Sequence, residues 1–177
     1  MLGLSFRSVS ETIRSFRNAM MVQIQSMGLW EGKQFRAYRT FTVAQQFQFV
    51  AAKDFILQKQ SLYCGTGSVQ MQILTGATPS GTFTDIATQT GKNRLGNVTY
   101  VQANKVQAGG TFTGGTEREL IRSDSGVGTG VAYTNVDDNA RVLPAGTYYF
   151  NLTVTGTTAG IYAFEWEELS SVNGVLP

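Results

Sequence analysis

Apolar and polar side chains alternate one for one from Phe35 onward. Phe35, Ala37 and Phe41 fall on one parity, with Arg36, Tyr38 and Thr40 on the other; Phe47 and Phe49 alternate with Gln46 and Gln48. A period of two is the mark of a strand with one buried face. The pattern returns in DFILQKQSLY (54–63), SVQMQIL (68–74), GTFTDIATQT (81–90), NVTYVQANKVQ (97–107), TERELIR (116–122), GTYYFNLTVT (146–155) and GIYAFEWEEL (160–169). Gly- and Pro-bearing turn signals at 75–81, 108–110, 113–115 and 144–146 separate several of these runs. The lack of a helical period between the later strands argues against a parallel βαβ arrangement, and an antiparallel one is expected. The chain from 35 to 177 therefore reads as a mainly β domain, an antiparallel β-sandwich of the jelly-roll or Ig-like type.

Two local expectations sharpen this reading. Tyr148, Phe150, Leu152 and Val154 share one parity, as do Tyr162, Phe164 and Trp166, and TGTTAG lies between the two runs. A closing hairpin is predicted, aromatic on its core face, with Glu165 and Glu167 facing solvent or a subunit boundary. Residues 123–143, rich in glycine and poor in large apolar groups, are expected to form an exposed loop.

The pattern before Phe35 is different. Val9, Ile13, Phe16 and Met20 recur at helical spacing, Ser8 and Ser10 can cap the first turn, and Gly28 can end the helix. A lone helix of this size is marginal in water, so its apolar stripe needs a surface to dock on. Residues 1–34 are read as a helical or extended arm preceding the β domain.

Charge changes the picture of that arm. Residues 1–39 carry six cations against two carboxylates, whereas the other 138 residues carry two net negative charges. A basic, amphipathic segment on a faintly acidic body points to a partner surface. Arg7, Ile13, Arg14, Phe16, Arg17, Met20 and Trp30 are its candidate contact residues.

Composition narrows the chemistry. Charged residues make up 15% of the chain, below the roughly 25% of average proteins, and the mean hydropathy is -0.09. Histidine is absent, which removes the commonest general base and zinc ligand and every imidazole-dependent triad. Cys64 is the single cysteine, so no intramolecular disulfide can form. No apolar stretch is long enough to span a bilayer, and Arg7, Glu11 and Arg14 interrupt what a secretory leader would need. The expectation is a non-enzymatic protein without cofactor or metal, and without a membrane partner.

Four groups of residues offer candidate chemistry. Gly126, Gly128 and Gly130 do not open a helix, as a phosphate-cradling loop must. Asp124, Asp137, Asp138 and Asn139 lack the spacing of a calcium loop. Glu165, Glu167 and Glu168 could mimic a glycosidase pair, but no further feature marks a cleft. The aromatics Tyr38, Tyr100, Tyr133 and Tyr149, expected to be exposed, could stack on sugars together with Trp30, and Tyr133 is the candidate glycan contact. The cations of the β region are scattered along the chain, which argues against nucleic acid as a partner.

Three stretches carry a resemblance: TGATPSGTFTDIATQTGKNRLGN (75–97), VQAGGTFTGGTERELIR (106–122) and LPAGTYYFNLTVTGTTAGIYAFEWEEL (143–169). Together they resemble small β-sandwich virion proteins of tailed bacteriophages, found as capsid decoration, head-fibre or tail-associated subunits. The resemblance spans about 35–170 and leaves the arm outside. It implies a structural role with no catalytic residues, a place in the virion after assembly in the host cytoplasm, and partners among the other virion proteins (major capsid protein or tail components). It also implies a homo-oligomer, a trimer foremost, with host glycan as a further possible partner of a tail or fibre subunit.

Overall fold

The computed structural model describes residues 31–87, 89–92, 100–124, 130–135, 141–156 and 159–169. The candidate arm residues Arg7, Ile13, Arg14, Phe16, Arg17, Met20 and Trp30 lie outside them. Fourteen strands are present among the described residues: β1 (Gln34–Phe41), β2 (Gln45–Ala51), β3 (Phe55–Cys64), β4 (Ser68–Thr75), β5 (Thr78–Ser80), β6 (Thr84–Asp85), β7 (Gln89–Lys92), β8 (Lys105–Ala108), β9 (Thr111–Thr113), β10 (Thr116–Asp124), β11 (Gly130–Asn135), β12 (Arg141–Leu143), β13 (Gly146–Thr155) and β14 (Gly160–Glu168). All pairings are antiparallel.

One sheet runs β11-β3-β14-β1-β7, with β12 also on β3; the other runs β10-β4-β13-β2-β8-β6. The last strand thus sits between the first and the third, and the next-to-last between the second and the fourth. The long early and late strands wrap together, and sequence-distant segments hold each other in place.

The alternation explains which faces meet. Phe35, Ala37 and Phe41 of β1, Leu62 and Cys64 of β3, and Tyr162, Phe164 and Trp166 of β14 are buried on one sheet. Phe47 and Phe49 of β2, Val69, Met71 and Ile73 of β4, and Tyr148, Phe150 and Leu152 of β13 are buried on the other, and all join one cluster. Rings meet across the gap: Phe150 stacks on Phe164 at 5.4 Å between centroids, and Phe49 meets Trp166 edge-on at 5.0 Å. Offset and edge-on ring pairs add directional attraction to apolar burial, in a described region without a disulfide.

Three local expectations are corrected. β13 and β14 do not form a hairpin; they occupy different sheets, so the segment between them crosses from one layer to the other. Two aromatic faces of equal parity can meet across a core as well as lie side by side, and alternation alone does not distinguish these cases. Residues 123–143 are not all loop: β10 extends to Asp124, and β11 and β12 pair with β3. Backbone pairing along β3 supplies the register that the glycine-rich sequence does not display. Finally, Glu167 is buried rather than solvent-facing, and so is its neighbour Glu168.

Candidate functional site

Two polar arrangements stand out among the described residues. The first closes one end of the two sheets. Glu168, 1% exposed, accepts the Asn104 N–H at 2.7 Å and the Ala103 N–H at 3.1 Å to each carboxylate oxygen. Asn104, wholly buried, in turn accepts the Lys53 N–H at 2.9 Å and donates through Nδ2 to the Lys53 carbonyl. The Glu168 N–H donates to the Lys33 carbonyl, and the Leu169 N–H to that of Asp54. Lys53 Nζ donates to the Tyr100 hydroxyl at 3.0 Å, and that bond holds its ammonium above the ordinary lysine range. Every partner here is internal, so this cluster is a latch that fixes loops.

The second arrangement is the outer face of the β11-β3-β14-β1 sheet. Register sets its rows: Arg36 opposite Glu165 opposite Lys59, then Tyr38, Ala163 and Ser61, then Thr40, Ile161 and Tyr63. Alternation forces these residues outward because their neighbours fill the core. The small side chains of Ser61 and Ala163 leave a hollow of about 340 Å³, walled by Arg36, Lys59, Tyr63, Ile161 and Glu165. An adjoining depression of about 480 Å³ shares Tyr63 and Ile161 and runs on over Thr40 and Gln45. Arg36 Nε stands 3.8 Å from Glu165 Oε1. Aromatic rings, a shallow floor and fixed charges can together hold a polar ligand with one flat apolar face.

The other sequence candidates distribute unevenly. Tyr133, expected in a loop, lies in β11, and its backbone pairs with Ser61, in line with the row of Tyr38 and Ala163. Tyr38 is 41% exposed. Tyr149, expected outside, is buried beside Phe112 and Ala77 in a second small cluster, because β5 and β9 cover the outer face of β13 there. Tyr100 is half-buried against Phe35. Asp124 pairs with Arg122, whereas Asp137, Asp138 and Asn139 lie outside the described residues. No group of three or more metal-capable side chains occurs among the described residues. Glu165, Glu167 and Glu168 do not share a cleft: Glu165 lies in the outer hollow, Glu167 is buried between glutamines, and Glu168 belongs to the latch. Sequence reasoning missed Tyr63 and Lys59, although the alternation in QKQSLYC, with Leu62 and Cys64 turned inward, places Tyr63 outward.

No protein-family model matches the chain, and no curated protein matches it in sequence. Among the described residues, no helix is long and apolar enough to cross a membrane.

Proposed function

We propose that this chain is a non-enzymatic structural subunit of a bacteriophage virion, a capsid decoration protein that attaches through its N-terminal arm, residues 1–34. The β domain is then a jelly-roll sandwich. The carrying observation is its wrapping order, β1-β14-β3-β11 in one sheet and β2-β13-β4-β10 in the other. That order supports the jelly roll over the Ig-like alternative, and jelly rolls recur in viral capsid and lectin domains. Fold carries function only by analogy, so the resemblance of residues 75–97, 106–122 and 143–169 supplies the rest. Its strongest stretch, 143–169, forms the central strands β13 and β14 of both sheets.

On this reading the arm binds the major capsid protein or sister subunits, the particle assembles in the host cytoplasm, and the copies form a trimer. The exposed edge strand β10 suits such a place. It presents Glu117, Arg118, Arg122 and Asp124, and charge on an edge discourages unspecific strand addition. Removing residues 1–30 is expected to leave a folded β domain that no longer joins particles. Full occupancy of virions by the truncated protein would refute the attachment role.

A second reading, a tail or fibre subunit whose sandwich binds host-surface glycan, is favoured by the hollow beside Tyr63 and by the register that aligns Tyr133 with it.

A further inference from the structure

The geometry points to the outer face of the β11-β3-β14-β1 sheet as a binding site for an anionic saccharide, with Tyr63 as the ring platform and Arg36 and Lys59 as the anion contacts. This inference rests on the glycan-binding reading and gives it a place and a ligand class.

A pyranose has a C–H face that packs on aromatic rings and a rim of hydroxyls that needs polar partners. The hollow offers both within three adjacent rows. Tyr63 on β3 walls the hollow beside Ile161 of β14, and Ala163 and Ser61 form its low floor. The two depressions are neighbours that share Tyr63 and Ile161 as lining. Pockets for small ligands commonly run from about 300 to 1,000 Å³.

Charge selects the ligand class. Arg36 and Lys59 flank the carboxylate of Glu165 in one row, two cations to one anion. A guanidinium recognises a carboxylate, sulfate or phosphate through paired hydrogen bonds. Glu165 can accept from sugar hydroxyls beside it. The adjoining depression is lined at Thr40 and Gln45 by uncharged side chains, with Gln45 Oε1 accepting from the Arg39 guanidinium at 3.0 Å. Charge at the centre of the face is unlike the middle of a subunit interface, where charged residues are depleted. Strands carry all these positions, so the site is preformed rather than assembled from loops.

The test uses the full-length chain on an array of neutral oligosaccharides and of oligosaccharides bearing carboxylate, sulfate or phosphate, followed by calorimetric titration of the best binder. Saturable binding confined to the anionic members is expected. Lys59→Gln, Arg36→Gln and Tyr63→Ala are each expected to weaken it roughly tenfold or more, because each removes a charge-assisted or ring contact. Unchanged melting curves of the two charge variants separate loss of contact from loss of fold, and they carry the test if Tyr63→Ala fails to fold. Binding that all three variants leave intact would overturn this site while leaving the glycan reading standing. Binding of neutral members alone would overturn the charge assignment. No saturable binding by the wild-type chain would overturn both.

Discussion

Glu168→Ala is expected to be among the costliest single substitutions in the β domain. The carboxylate takes the N–H groups of Ala103 and Asn104, and Asn104 holds both backbone groups of Lys53 in the turn between β2 and β3. Removing it leaves the amide of the fully buried Asn104 and that of the half-buried Ala103 without their acceptor. A hydrogen bond to a charged group contributes about 1.5–3 kcal/mol, so losing two costs about 3–6 kcal/mol. Whole domains are stabilised by only about 5–15 kcal/mol. For a chain of this size that loss lowers the melting temperature by roughly 6–24 °C. Glu168→Gln should fall between alanine and wild type: its amide oxygen can keep the Asn104 contact, but its NH₂ then meets the Ala103 N–H, donor against donor. Thermal melts followed by circular dichroism give the order, and hydrogen exchange at the 103 and 104 amides gives the location. A Glu168→Ala protein that melts within about 2 °C of wild type, with both amides still protected, would show that the latch contributes nothing.

Two further substitutions probe the core. Trp166→Ala is expected to cost about 3–5 kcal/mol by opening a cavity among Phe35, Phe49 and Phe164. Trp166→Phe should cost clearly less, since the indole N–H meets no acceptor among the described residues; denaturant melts showing equal losses would refute this. Gly160→Ala places a Cβ 2.2 Å from the Phe41 ring and 2.4 Å from the Tyr63 carbonyl oxygen. Overpacking of this kind costs about 1–3 kcal/mol or more, and a melt unchanged from wild type would mean that β1 and β3 yield there.

The long strands were legible in the sequence because each has a single core parity. Phe35 and Phe41, Phe47 and Phe49, and Tyr162, Phe164 and Trp166 are buried where alternation puts them. Sheet membership was not legible, since parity says which way a side chain faces and nothing about which strand lies beside it. Hence β13 and β14 read as neighbours and stand in opposite layers. β11 and β12 were missed because their order comes from β3 rather than from apolar residues of their own. The outer hollow was half visible: Tyr38 and Tyr133 were chosen as aromatics, while Tyr63 and Lys59 gain meaning only from the register that sets them beside Glu165 and Ile161.

Glu167 obeys strand parity and is buried all the same. It points away from the core yet is 5% exposed, because Gln34 and Gln58 from the flanking strands both donate to its Oε2, at 3.0 and 2.9 Å. Burial raises its pKa above the ordinary carboxylate value; the Gln34 bond opposes this, Glu31 adds to it, and Lys33 and the Gln58 bond oppose it. The folded state therefore takes up the proton more readily than the unfolded chain. The resulting stabilisation is fully present below the unfolded pKa, about 4.3, and disappears as pH rises through the folded value. Glu167→Gln keeps one oxygen to accept both glutamine donors and discards the charge that burial disfavours. At pH 7 the variant should match or exceed wild type. At pH 4 it should lose that advantage, as wild type regains a neutral side chain. Denaturant melts of both proteins from pH 4 to 7 isolate the effect, because every other carboxylate titrates in both and cancels in the difference. A difference that stays flat over that range, or a variant weaker at pH 7 by more than about 1 kcal/mol, would mean that the ionised carboxylate is held by its two glutamines at no cost.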